Sequence, residues 1–105
     1  MYGLKESVWE QIFGCFEKHE AIQEVILYGS RAKGNFKPAS DIDLVIRGND
    51  MSERELTKVE NELDDLLLPW KIDLSLFHHL QNEELIKHIK RGGKSIYSKQ
   101  SVTST

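Results

Sequence analysis

The sequence is poor in the devices that hold several familiar classes of protein together. It has one cysteine, Cys15, which rules out an intrachain disulfide framework and any thiolate-rich zinc site. Cys15 falls within an amphipathic stretch and reads as a small packing residue. No apolar run approaches the ~20 residues of a membrane-spanning helix, and the first residues lack the basic-then-apolar pattern of a signal peptide. The expectation is a cytoplasmic protein with no membrane association. A surplus of positive charge is missing too. Fourteen basic residues stand against 17 acidic ones, a net charge of −3, which argues against a general nucleic-acid binder. Internal repeats, low-complexity blocks and interdomain linkers are also absent, so solenoids and strings of domains are excluded. What remains is an ordinary globular composition, 39% hydrophobic and 30% charged over 105 residues, enough for one small domain. We place that domain at residues 1–97, with a flexible polar tail over 98–105.

Hydrophobic spacing gives the elements. Leu4, Val8, Ile12 and Phe16, with Trp9 and Phe13 beside them, fall on one stripe and predict a helix from about Lys5 to His19. Val25 to Tyr28 is a β-favouring run cut off by Gly29, and Asp41 to Ile46 gives a second strand. Residues 29–40 between them are turn-rich. Ser52 followed by Glu55 is a capping-box pattern, and Leu56, Val59, Leu63, Leu66 and Leu67 supply the apolar face of a helix that Pro69 stops. Lys71 to Phe77 alternates polar and apolar as a strand with one covered face. Asn82 caps a last helix carrying Leu85, Ile86 and Ile89, and Ile96-Tyr97 is a short edge strand or a packed segment. A helical connection between the second and third strands predicts that they run parallel, and the shorter link between the first and second allows an antiparallel pair. The fold class expected is α+β, a small mixed sheet with helices mainly on one face.

The chemistry sits at the strand ends. Asp41 and Asp43 are two apart, so their side chains leave one face of a strand ~6.6 Å apart along the backbone. Aspartate is a poor strand residue and the two carboxylates repel each other, a conflict that a divalent cation resolves. Mg²⁺ suits them, because it takes hard oxygen ligands and is held by one or two carboxylates plus substrate phosphates. Asp73 repeats the oddity between Ile72 and Leu74. With the topology just described, all three aspartates meet the end of the first strand at one sheet edge. There Gly29-Ser30-Arg31-Ala32-Lys33-Gly34 supplies a tight turn, a short helix start suited to phosphate, and two cations to flank a triphosphate. Asp64 and Asp65 read as surface residues of a helix, the adjacent His78 and His79 lack metal-motif spacing, and Trp9 and Trp70 read as packing residues.

Gly29 to Gly34, then Ser40-Asp41-Ile42-Asp43-Leu44, then Ile72-Asp73-Leu74, resembles the signature of the DNA polymerase β-like nucleotidyltransferases, and within them the stand-alone minimal nucleotidyltransferase group. The resemblance spans about residues 22–97. It implies the polymerase β-like fold, Gly29 and Ser30 on the β- and γ-phosphates of ATP, and two Mg²⁺ ions held by Asp41, Asp43 and Asp73. Lys33 departs from the arginine common in such loops; it keeps the charge and loses the bidentate fork.

The resemblance further implies transfer of a nucleoside monophosphate, AMP from ATP foremost, to a hydroxyl. Relatives acting on antibiotics, tRNA or DNA add domains that grip those acceptors, whereas only one helix and a tail are foreseen after Asp73. A protein partner is therefore expected to provide the acceptor surface. Minimal nucleotidyltransferases typically pair with a helical HEPN-domain protein, often an RNase toxin, so an antitoxin that adenylylates its toxin is implied. Two alternatives stay open: a non-catalytic module that neutralises such a partner by occlusion, and a small-molecule nucleotidyltransferase completed by homodimerisation.

Overall fold

The computed structural model describes residues 1–48 and 50–99. Four strands form one sheet in the order β3-β2-β1-β4. They are β1 (Ile22–Tyr28), β2 (Ile42–Gly48), β3 (Ile72–Leu76) and β4 (Lys94–Ser98). The β1–β2 and β1–β4 pairs are antiparallel and β2–β3 is parallel, a mixed sheet as the connection lengths predict. Helices α1 (Glu6–Glu17), α2 (Ser30–Lys33), α3 (Glu53–Asp64) and α4 (Glu83–Gly92) complete the fold.

Alternation along the strands separates the two faces. Ile22, Val25, Leu27, Ile42, Leu44, Ile46, Leu74 and Leu76 point into the main core, where Trp9, Ile12 and Phe16 of α1 and Leu56, Val59 and Leu63 of α3 meet them. Phe13 and Phe16 also pack on Tyr97 of β4, at ring separations of 5.9 and 5.5 Å, which ties the edge strand to that layer. The other face carries Glu24, Ile26, Tyr28, Asp43, Val45 and Asp73. Its half away from the aspartates is closed by α4, whose Ile89 is buried beside Ile26 and Gly93. The half bearing the aspartates stays open.

The caps form as the sequence predicts. The Leu85 amide donates to Asn82 at 3.2 Å, and the Glu55 amide donates to Ser52 at 3.2 Å. Three details differ from expectation. First, α3 ends at Asp64, not at Pro69. The Leu66 and Leu67 amides bond three residues back, at 3.1 and 3.0 Å, and Leu67 takes a left-handed φ of 55°. Leu67 is thus thrown out to solvent at 87% exposure, while Leu66 folds against the core. Second, β1 begins three residues earlier than its apolar run, because Ile22 pairs with Gly48 across an irregular register. Third, Ser98 closes β4 and the Lys99 amide donates to the Gln23 carbonyl at 2.8 Å. The rest of the predicted tail, residues 100–105, lies outside the described residues.

Candidate active site

The sheet register assembles the site. Tyr28 at the end of β1 stands opposite Asp43 on β2, and Asp43 is level with Asp73 on β3. Adjacent strands are ~4.8 Å apart, so the two carboxylates are direct neighbours in one row across the open face. Ser75 follows Asp73 by two positions and shares that face. Asp41 sits one residue before β2 begins and is exposed, as is Asp73, whereas Asp43 is half-buried. Burial foremost, then the charges of Asp73 and Asp41, push the Asp43 carboxyl above its usual range, and Lys71 partly offsets them. Tyr28 is pushed up in the same way, by burial, then Asp73, then Asp43, against a lowering contact from the Ser75 hydroxyl. The row is therefore an anionic cluster that repels itself.

The turn after β1 is built against this cluster. Gly29 has a φ of 78°, a backbone state that side chains disfavour, and a Cβ there would collide with the Asp43 carboxylate. Only glycine lets the chain turn this close to the acid. Next, the Lys33 and Gly34 amides donate to the Gly29 and Ser30 carbonyls at 3.1 and 2.9 Å and close the single turn of α2. Ser30, half-buried, begins that turn, whose first N–H groups have no acceptor within the helix.

Arg31 corrects the sequence reading. Its place in the loop predicts a position beside a triphosphate, but its side chain is 1% exposed and turns away from solvent. Its Nη1 donates to the Tyr2 carbonyl at 2.9 Å, its Nη2 to the carbonyls of Ser40 at 2.9 Å and Pro38 at 3.2 Å, and its Nε to Ser40 again at 3.2 Å. The guanidinium also lies over the rings of Phe36 and Trp70, at 5.1 and 5.8 Å. With its fork committed to three carbonyls and two rings beside it, Arg31 is placed as a brace of the loop. Lys33 is exposed at the end of α2. Gly29, Ser30, Asp41, Asp43 and Asp73 are brought together. Sequence reasoning missed Tyr28, Ser75 and Lys71 as neighbours of the acids; Ser75 was legible from its two-residue spacing, while Tyr28 needed the strand register.

Among the described residues, no three His, Cys, Asp or Glu side chains form a ready-made metal cage. The donor set nonetheless fits Mg²⁺, which needs only one or two carboxylates when substrate phosphates complete its shell. The residues that would hold it are Asp41, Asp43 and Asp73, and the charge repulsion felt by Asp43 is the strain a cation relieves. The site is an open edge. A hollow of about 390 Å³ between the end of α3 and the start of β3 is lined by Glu60, Asp64, Trp70 and Ile72 and contains none of the acidic row.

The mixed sheet, the carboxylates on two parallel strands and the glycine turn closing on them have the arrangement that the resemblance to nucleotidyltransferases implies. The family profile described as Polymerase beta, Nucleotidyltransferase matches residues 10–102, and the chain belongs to that family. Among solved structures it is similar to a chain of a toxin–antitoxin crystal structure with AMP-PNP, at 20% identity and a TM-score of 0.69, covering 92% of this chain and 76% of that one. It is also similar to a chain of a tri-AMPylated Shewanella oneidensis HEPN toxin in complex with MNT antitoxin, at 16% identity and a TM-score of 0.67, covering 91% and 74%. A chain of the MntA-HepT toxin–antitoxin structure matches at 16% identity and a TM-score of 0.65, covering 90% and 74%. No curated protein sequence matches. Among the described residues, no helix is long and apolar enough to cross a membrane.

Proposed function

We propose that this nucleotidyltransferase moves AMP from ATP onto a hydroxyl of a HEPN-type protein toxin and so acts as its antitoxin in the cytoplasm. The observation that carries the site is the Gly29 turn closed against Asp43, itself level with Asp73. Gly29 lets the backbone approach the β- and γ-phosphates, with Ser30 beside it as a hydroxyl donor. Asp41, Asp43 and Asp73 would hold two Mg²⁺ ions. Bound there, magnesium neutralises the triphosphate and stabilises the attacking and leaving oxygens. Asp43 is the recessed member of the set, and Asp73, exposed on the outer of the two parallel strands, is the carboxylate an incoming hydroxyl reaches. In the transfer, the acceptor hydroxyl gives up its proton to solvent, its oxygen bonds to the α-phosphorus, the bond from that phosphorus to the bridging oxygen breaks, and pyrophosphate leaves. Little covalent chemistry falls to the protein, so positioning and charge carry the rate.

The HEPN partner is proposed on the similarity to the toxin–antitoxin chains above. An open edge suits it, because an acceptor held in line can lower the barrier by ~7–11 kcal/mol, and here the partner would do the holding. The test is pyrophosphate release from ATP and Mg²⁺, with and without a HEPN-type partner protein. Slow release that rises by roughly 10²-fold or more with the partner is expected. Equal rates in both arms would contradict a partner-borne acceptor.

A further inference from the structure

Three segments carry the proposed chemistry: the Gly29-Ser30 turn, the Asp41-Asp43 strand start and the Asp73 strand start. Behind them lies one side chain that reaches a residue shortly before each of the last two and follows directly on the first. Arg31 immediately follows Ser30. Two of its hydrogen bonds end on the carbonyl of Ser40, the residue before Asp41. One of its faces lies over Trp70, three residues before Asp73, and Trp70 donates from Nε1 to the Pro38 carbonyl at 2.7 Å, an acceptor it shares with Arg31. The Ile42 amide then donates to the Lys71 carbonyl at 2.9 Å, which joins the second and third segments next to the same point. Gly3 packs beside the guanidinium, where a Cβ would strike the Phe36 ring and approach Arg31 Nη1 to 2.8 Å.

We infer that Arg31, with Trp70, is a positioning residue that couples the phosphate-binding turn to the metal-binding carboxylates. This rests on the proposed reading of the site. A guanidinium locked on five groups transmits a displacement of the turn to Ser40 and hence to Asp41. Lysine at this position keeps the charge but cannot reach three carbonyls in a fixed fork, so at least one of these bonds is lost. The coupling should then loosen while the turn and the carboxylates each remain.

The test measures AMP-PNP binding by calorimetry, with Mg²⁺ and with a chelator, for the wild type, Arg31→Lys and Trp70→Phe, after circular dichroism establishes that each is folded. In the wild type, Mg²⁺ tightens nucleotide binding; if it does not, the reading of the site fails, whatever the variants do. Given that tightening, Arg31→Lys is expected to cut the gain from Mg²⁺ by about tenfold and change metal-free binding less than twofold. Trp70→Phe, which keeps a ring but removes the bond to Pro38, is expected to fall between, and it decides the matter if the lysine variant does not fold. Unchanged Mg²⁺ gain in the folded variants, or equal losses with and without metal, would overturn the coupling.

Discussion

Individual residues divide into those that strain the fold and those that hold it. Asp43 belongs to the first group, since burial and two neighbouring carboxylates oppose its charge. Asp43→Asn should therefore leave the metal-free protein at least as stable as wild type in a thermal melt, yet lower transfer by roughly 10²-fold or more. A clear loss of stability without metal would show that the carboxylate has a structural role instead. Arg31 belongs to the second group. Arg31→Met strips its donors from the half-buried Tyr2 and Ser40 carbonyls, while Pro38 keeps Trp70; at about 1–3 kcal/mol each, a loss of roughly 2 kcal/mol or more is expected. For a domain of this size that is a fall in Tm of about 8 °C or more, and an unchanged Tm would refute the brace. Cys15 is inert by burial, with Glu62 as a lesser cause, both raising its thiol pKa. Its thiolate is thus scarcer than that of a free cysteine at any pH below the raised value. Iodoacetamide at pH 8 should label it more than tenfold slower in the folded chain than in urea.

At the scale of elements, the sequence is most legible where a local rule acts alone. Asn82 and Ser52 announce their helices through capping chemistry, and each Asn or Ser to Ala change should cost about 1 kcal/mol in urea unfolding. Alternation in Ile72 to Leu76 is enough by itself to put Asp73 on the polar face of its strand. What escaped is what long-range contacts decide. Leu66 and Leu67 fit a helical stripe, but the chain leaves the helix at Asp64 and turns through Leu67 to reach β3, so pattern alone overextends α3. The same limit explains Arg31. Its position in the Gly29–Gly34 turn resembles that of a phosphate ligand, and only the packing of Phe36, Trp70 and the Ser40 carbonyl reveals where its side chain goes. Tyr28 likewise becomes part of the site through the register of β1 on β2, which no property of residues 22–28 dictates.

Over the whole molecule, one face of the sheet is spent on the core and the other is divided between α4 and an open acidic edge. That division gives a small domain a site it can share with a partner. It also ties stability to ligands, because ATP with Mg²⁺ should bind the folded state alone; at a hundredfold excess over Kd the gain is about 2.7 kcal/mol. ATP or Mg²⁺ added singly should shift the melt far less than both together, and no shift with both would remove the metal cluster. Catalysis, as opposed to occlusion of a toxin, is tested most directly by the intact mass of the proposed HEPN partner after incubation with Mg²⁺ and ATP. With wild-type protein the partner should gain the mass of one AMP for each residue modified and lose its toxicity. With Asp41→Asn or Asp73→Asn it should still form the complex but gain no mass and stay toxic. A partner that is neutralised equally by these variants, and never gains mass with the wild type, would show that the chain works by binding alone.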